Sequence, residues 1–242
     1  MNINIHSYGE GFPLVFLHGW GFDSRIWLPL MPKLLLMDYQ VILIDLPGFG
    51  HSPIMDWNSF KEFLVNQLPN KFALVGWSMG GLYAMRFAVE EPDRVTHLIN
   101  VTSSPRFLHD DLWPGVSQYV FKKFYKNLLE APHDTLKEFM ELNGLSTADR
   151  LQHLPDKLPS PGGLALGLKI LETWDLRAEL KQFNKPTCFM FGRLDPIVPI
   201  KTMNTMQLSY PEFNYILFKR AAHMPFLSQV DLFIEEIRGL IK

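Results

Sequence analysis

Six short apolar runs recur along the chain with helix-like segments between them. This alternation constrains the fold more than any other feature. The runs are P-L-V-F-L (13–17), V-I-L-I-D (41–45), F-A-L-V-G (72–76), V-T-H-L-I-N-V (95–101), P-T-C-F-M-F (186–191) and N-Y-I-L-F (214–218). Near-continuous apolar character rich in Val, Ile and Phe suits strands covered on both faces. N-I-N-I-H (2–6) alternates instead, as an edge strand does. Helical periodicity falls between the runs, over roughly 24–37, 58–68, 79–90, 200–208 and 225–241. Strand and helix in alternation predict an α/β fold, a mostly parallel sheet with helices on both faces.

The rhythm stops between about residues 105 and 183, a gap longer than an ordinary connection. Within it, W-P-G-V-S-Q-Y-V-F-K-K-F-Y and D-T-L-K-E-F-M-E-L both carry helical spacing. The predicted organisation is a core of residues 1–104 and 184–242, with a helical cap, 105–183, inserted between core strands. Such an insertion sits above the carboxyl ends of the strands, where ligands bind in open sheets.

Composition narrows the class of partner. The 242 residues hold 23 Lys and Arg against 25 Asp and Glu, a net charge of −2. That balance gives no overall attraction to nucleic acid or to anionic membranes. No apolar run approaches the ~20 residues of a membrane helix. M-N-I-N-I-H-S-Y-G-E lacks the basic and apolar regions of a secretory signal. The single cysteine, Cys188, allows no internal disulfide, and its apolar surroundings T-C-F-M-F predict a buried, inert thiol. The expectation is a cytoplasmic protein, acting as a monomer. No H-E-x-x-H, cysteine cluster or early dinucleotide fingerprint occurs, so neither metal nor cofactor is predicted.

One junction carries chemistry. Gly76-Trp77-Ser78-Met79-Gly80 fits G-x-S-x-G, lying after the run K-F-A-L-V and before L-Y-A-M-R-F-A-V-E-E. In that setting the pattern is a nucleophile elbow, a sharp strand-to-helix turn that exposes the serine hydroxyl. Glycines two residues to either side let neighbouring backbone approach. The helix that follows aims its first N–H groups at developing negative charge. A serine hydroxyl needs a base, and the base needs an orienting acid. His223 in R-A-A-H-M-P-F follows the last strand run, and Asp195 in G-R-L-D-P-I-V-P follows C-F-M-F. Ser78, Asp195 and His223 occur in the chain order of this fold's triad. His18 also ends a strand run, but the Gly19-Trp20-Gly21 after it suits another role. Asp45 precedes the serine and reads as a structural loop residue. Two N–H donors are needed for the oxyanion, and Met79 with the H-G-W-G loop, through Trp20, can supply them.

With F-L-H-G-W-G, D-L-P-G-F-G-H-S, G-W-S-M-G-G, G-R-L-D-P-I-V-P and A-A-H-M-P-F in place, the chain resembles the α/β-hydrolase superfamily over nearly its whole length. More narrowly it resembles the BioH family, the pimeloyl-acyl-carrier-protein methyl ester esterases of biotin synthesis. The narrower markers are L-V-G-W-S-M-G-G-L, T-S-S-P, W-P-G and G-G-L-A-L-G-L-K-I-L-E-T-W-D-L-R. The resemblance implies cleavage of a methyl ester on a carrier-bound pimeloyl chain, releasing methanol. It implies Ser78, Asp195 and His223 in catalysis, and Trp20 and Met79 at the oxyanion. It implies substrate contacts from Trp77 and Phe139, the latter equally readable as a core-facing helix residue. It also implies an acidic carrier docked on basic cap residues. The cap holds ten Lys and Arg against eleven Asp and Glu, so only a cluster can serve. Asp134 and Glu138 stand near the family's basic positions. The densest cluster is Lys122, Lys123 and Lys126, with Arg150 or Lys157 as helpers.

Other readings stay open on these residues alone. A general carboxylesterase, a thioesterase or a carbon–carbon bond hydrolase could use the same triad. A non-catalytic receptor could keep it unused. Dehalogenase and epoxide hydrolase chemistry want an acid where Ser78 stands.

Overall fold

Strands that are apolar on both faces need helices on both faces. The computed structural model describes residues 2–142 and 159–241. The described strands are β1 (Ile5–Tyr8), β2 (Phe12–Leu17), β3 (Tyr39–Ile44), β4 (Phe72–Trp77), β5 (Val95–Val101), β6 (Thr187–Gly192) and β7 (Asn214–Phe218). They form one sheet in the order β1-β3-β2-β4-β5-β6-β7. β1 runs antiparallel to β3, and the remaining pairings are parallel. β4 and β6 are buried at every position.

The longer described helices are α1 (Trp57–Gln67), α2 (Met79–Glu90), α3 (Gln118–Glu130), α4 (Pro132–Leu142), α5 (Pro161–Thr173), α6 (Ile200–Ser209) and α7 (Val230–Leu240). Alternation along the strands divides the core into two layers. On one face Val15, Leu17, Leu74 and Phe189 pack with Leu82 and Met85 of α2. On the other, Phe16, Val75, Ile99 and Met190 pack with Trp27, Phe226 and the α7 residues Phe233 and Ile237. Cys188 of β6 is buried, which pushes its thiol up to about 12.

Three helix expectations change in detail. Residues 24–37 do not form one helix. They break into Ser24–Leu30, Met31–Leu34 and Leu35–Met37, and only the middle piece is α-helical. Pro29 and Pro32 each remove a backbone donor from a continuous ladder. The segment 225–241 breaks at Gln229, whose φ of −139° and ψ of 54° leave the helical region. In the cap, the helix starts only at Gln118, where the Ser117 side chain accepts the Val120 N–H. Pro114 and Gly115 stand before it, in a stretch where Leu108 bridges Val116 and Asp110 bridges Trp113.

Among the described residues, the longer helices α3, α4 and α5 and a short helix, Arg177–Leu180, lie between β5 and β6 in the chain. The two ends of this excursion are tied together. Leu176 N–H donates to the Pro105 carbonyl at 2.9 Å. Arg106 meets Asp110 at 3.1 Å and Asp175 at 3.2 Å, and Arg177 meets the same carboxylates at 2.9 and 2.7 Å. Burial pushes the Asp175 carboxyl up, but hydrogen bonds from Arg177 outweigh this and hold it below the usual carboxylate range. The stem is therefore closed before the cap helices begin.

Candidate active site

β4 ends at Trp77 and α2 begins at Met79, so Ser78 occupies the whole turn. Its φ of 54° and ψ of −119° lie in a region that side chains rarely adopt. The turn closes because Gly76 and Gly80 leave no Cβ in the way. A Cβ on Gly76 would strike the Gly80 carbonyl, and one on Gly80 would strike the carbonyls of Leu17 and His18. The absence of that Cβ seats the H-G-W-G loop against the first turn of α2. The N–H groups of Trp20 and Met79 thus belong to segments in direct contact.

The loops after β4, β6 and β7 all open at the carboxyl edge of the sheet. They bring together Ser78, Asp195 and His223. His223 Nε2 lies 2.9 Å from Ser78 Oγ, and its Nδ1 lies 2.7 Å from Asp195 Oδ2. With the proton on Nδ1, the imidazole donates to the carboxylate and accepts the serine hydroxyl. The other carboxylate oxygen accepts the N–H groups of Ile197 and Val198 at 2.8 and 3.0 Å. Asp195 is thereby held on both oxygens, and both it and His223 are buried.

His18 and Asp45 serve elsewhere. His18 Nδ1 lies 2.8 Å from the Gly19 carbonyl, and its Nε2 accepts the Leu46 N–H at 2.9 Å. Asp45 accepts the N–H groups of Ser24 and His51 and the side-chain amide of Asn4. Both residues brace the loops that follow β2 and β3.

Ser78 opens into a cavity of about 430 Å³. Trp20 from the core and Phe139 from α4 line it, together with Phe107, Phe121, Leu168 and Ile197. No charged side chain is among the described lining residues. Trp20 and Phe139 meet edge to face, with centroids 5.2 Å apart. The Trp20 indole N–H donates to the Leu164 carbonyl of α5 at 3.0 Å, so core and cap share this wall. Phe139 accordingly packs on the core and faces the cavity at once.

Trp77 departs from expectation: its ring is absent from the described cavity wall. It is buried among Phe22, Trp27 and Phe226, behind His223. Gly19 makes the room, since a Cβ there would come within 2.8 Å of the Trp77 ring. The indole N–H is directed to the His223 carbonyl at 2.8 Å. Sequence reasoning also missed the cavity residues Phe107, Phe121, Leu168 and Ile197. The F-K-K-F spacing of Phe121 and Phe124 was the available signal, since both face the cavity from α3.

A family model described as alpha/beta hydrolase fold matches residues 13–229. A pimeloyl-acyl-carrier-protein methyl ester esterase of Legionella pneumophila (strain Corby) is 58% identical, over 100% of both chains. A protein of the same name from Aliivibrio salmonicida (strain LFI1238) is 38% identical, over 97% of this chain and 94% of its own. Among solved structures, an esterase from Exiguobacterium antarcticum superposes with a TM-score of 0.89 at 24% identity, covering 98% of this chain and 94% of that one. The chain belongs to the α/β-hydrolase fold family and, within it, to the group of the pimeloyl-acyl-carrier-protein methyl ester esterases.

Proposed function

We propose that this chain is a cytoplasmic, monomeric serine carboxylesterase. It hydrolyses the methyl ester of pimeloyl-acyl-carrier-protein methyl ester to pimeloyl-acyl-carrier protein and methanol, a step of biotin biosynthesis. The observation that carries the reading is the Ser78–His223–Asp195 relay, opening into an apolar cavity. The names of the full-length relatives supply the substrate.

The chemistry follows from the geometry. Ser78 Oγ attacks the ester carbonyl while His223 Nε2 takes its proton. Charge builds on the carbonyl oxygen, where the N–H groups of Met79 and Trp20 stabilise it. The Asp195 carboxylate holds the imidazole in the tautomer that accepts this proton and stabilises the resulting cation. Collapse of the intermediate expels methoxide, which leaves as methanol with the proton from His223. Water then attacks the acyl-enzyme with His223 again as base, releasing the free acid and restoring Ser78. An apolar wall suits an acyl chain ending in a neutral ester, and it disfavours return of the ionised product.

Ser78→Ala tests the relay. Hydrolysis should fall by on the order of 10⁴-fold or more, with the fold unchanged by circular dichroism. Comparable activity in that variant removes the mechanism. The substrate is tested by comparing kcat/KM on methyl pimeloyl-carrier protein with that on matched free methyl esters. No preference for the carrier-bound ester would leave a general carboxylesterase.

A further inference from the structure

The residues directly after β5, Thr102 and Ser103, grip the nucleophile and the base by their main chains. The Thr102 hydroxyl donates to the His223 carbonyl at 2.8 Å. The Ser103 hydroxyl donates to the Ser78 carbonyl, also at 2.8 Å. Each carbonyl has a second donor. His223 O accepts the Trp77 indole N–H at 2.8 Å, and Ser78 O accepts the Gly81 N–H at 2.9 Å. One partner already satisfies a buried carbonyl, so the second bond restricts where the carbonyl can move.

Thr102 is held in an unfavourable backbone state to do this. Its φ is 43°, in the left-handed region, where a β-branched residue is an outlier. Its own N–H is committed to the Met190 carbonyl at 2.7 Å, and the residue is fully buried. Strain of this kind persists where the surroundings over-determine it, and it clusters at functional sites. Ser103 is equally enclosed, because Gly81 has no Cβ to collide with its hydroxyl.

We infer that Thr102 and Ser103 form a jig that sets the distance between Ser78 Oγ and His223 Nε2, with Trp77 as its third member. All three are positioning residues, acting through main-chain carbonyls and touching no substrate. The inference rests on the proposed relay and adds to it the element that sets its register. Ser78 and His223 are 145 residues apart in the chain and belong to different loops. Two consecutive hydroxyls on one rigid strand end give both loops a common reference.

The test is Thr102→Val, which keeps the branched shape and deletes the hydroxyl, with Thr102→Ser as its rescue. Active sites are counted by fluorophosphonate titration, and kcat per titrated site is measured on a p-nitrophenyl ester. A small misplacement of reacting groups costs roughly tenfold to a hundredfold, so Thr102→Val should lose about tenfold in kcat, with KM changed less than about twofold. The rate of fluorophosphonate labelling should fall in parallel, and Thr102→Ser should recover most of both. Ser103→Ala should act in the same direction. Unchanged kcat per titrated site in Thr102→Val overturns the inference, as does an equal loss in Thr102→Ser. So does a loss confined to the number of titratable sites, which marks a purely structural role. If Thr102→Val does not fold, Trp77→Phe provides the same readouts with the other His223 donor removed. Residual full activity in Ser78→Ala would strike the relay itself, a result distinct from failure of the jig.

Discussion

His18 shows how a single residue can look functional and act as a brace. One ring nitrogen faces the Gly19 carbonyl and the other accepts the Leu46 N–H, so the ring is neutral. Burial lowers its pKa from the ordinary 6.5, and the nearby Asp45 charge only partly opposes this. The unfolded chain therefore takes up a proton near that value, while the folded chain resists it to lower pH. Stability is fully present above the ordinary imidazole range and is lost as pH falls through and below it. His97, also lowered by burial, adds with the same sign. Urea midpoints should therefore fall between about pH 7 and about pH 5. In His18→Gln that slope should be flatter, though the absolute stability should be lower at neutral pH. An unchanged slope would mean that His18 is not among the groups responsible. Asp45, held below its usual range although burial opposes this, extends the loss into the acid carboxylate region.

At the scale of elements, α5 shows why the cap can press so closely on the core. Ser160 caps its first turn, accepting the Gly163 N–H at 3.0 Å, and Pro161 starts it without a wasted donor. Gly163 then touches the loop at Gly48, where a Cβ would strike the Gly48 carbonyl. One turn later a Cβ on Gly167 would lie 2.5 Å from Trp20 Cδ1 and 3.0 Å from both Met79 Sδ and Phe49 Cζ. Gly167→Ala should push α5 outward and move Trp20, a wall of the cavity. The expected cost is about 1–3 kcal/mol of stability, read by denaturant unfolding, with a raised KM for ester substrates. Gly239→Ala in α7 is the control, since nothing lies within 4 Å of its would-be Cβ. It should gain up to about 1 kcal/mol from helix propensity alone. If the two variants behave alike, close packing is not the reason for glycine at 167.

At the scale of the whole molecule, charge decides how a carrier protein could dock. An acidic carrier, as the family resemblance implies, would find no general attraction in the net charge of −2. The proposed local attraction comes from the exposed lysines of α3. Lys122, Lys123 and Lys126 are exposed, and Lys126 lies 3.7 Å from exposed Glu130. Lys122 also borders a groove between α3 and α5 that holds Lys169 and Glu172. Arg150 and Lys157, the other candidates, lie outside the described residues. Changing all three α3 lysines to Glu should raise KM for the carrier-bound ester, more strongly at low salt. Each rim contact contributes about 0.5–1 kcal/mol. Hydrolysis of a p-nitrophenyl ester should barely change. Equal effects on both substrates would remove the lysines from docking while leaving the relay intact.

Much of this was legible along the chain because it is local. Apolar runs and helical periods set the strand and helix order, and G-x-S-x-G sits at one strand-to-helix junction. Chain order separated Asp195 from Asp45, and position after the last strand separated His223 from His18. Tertiary structure alone decided what depends on which side chains converge. It turned Trp77 inward beneath His223, joined Trp20 to Phe139 across the cavity, and placed the Thr102 hydroxyl on a carbonyl 121 residues away. It also broke the helices expected at 24–37 and 225–241, where prolines and a non-helical Gln229 outweigh a suitable apolar pattern. The division has one physical cause: periodicity reports the burial of neighbours in sequence. The distance between a hydroxyl and a carbonyl on separate loops is set by the packing of the entire sheet.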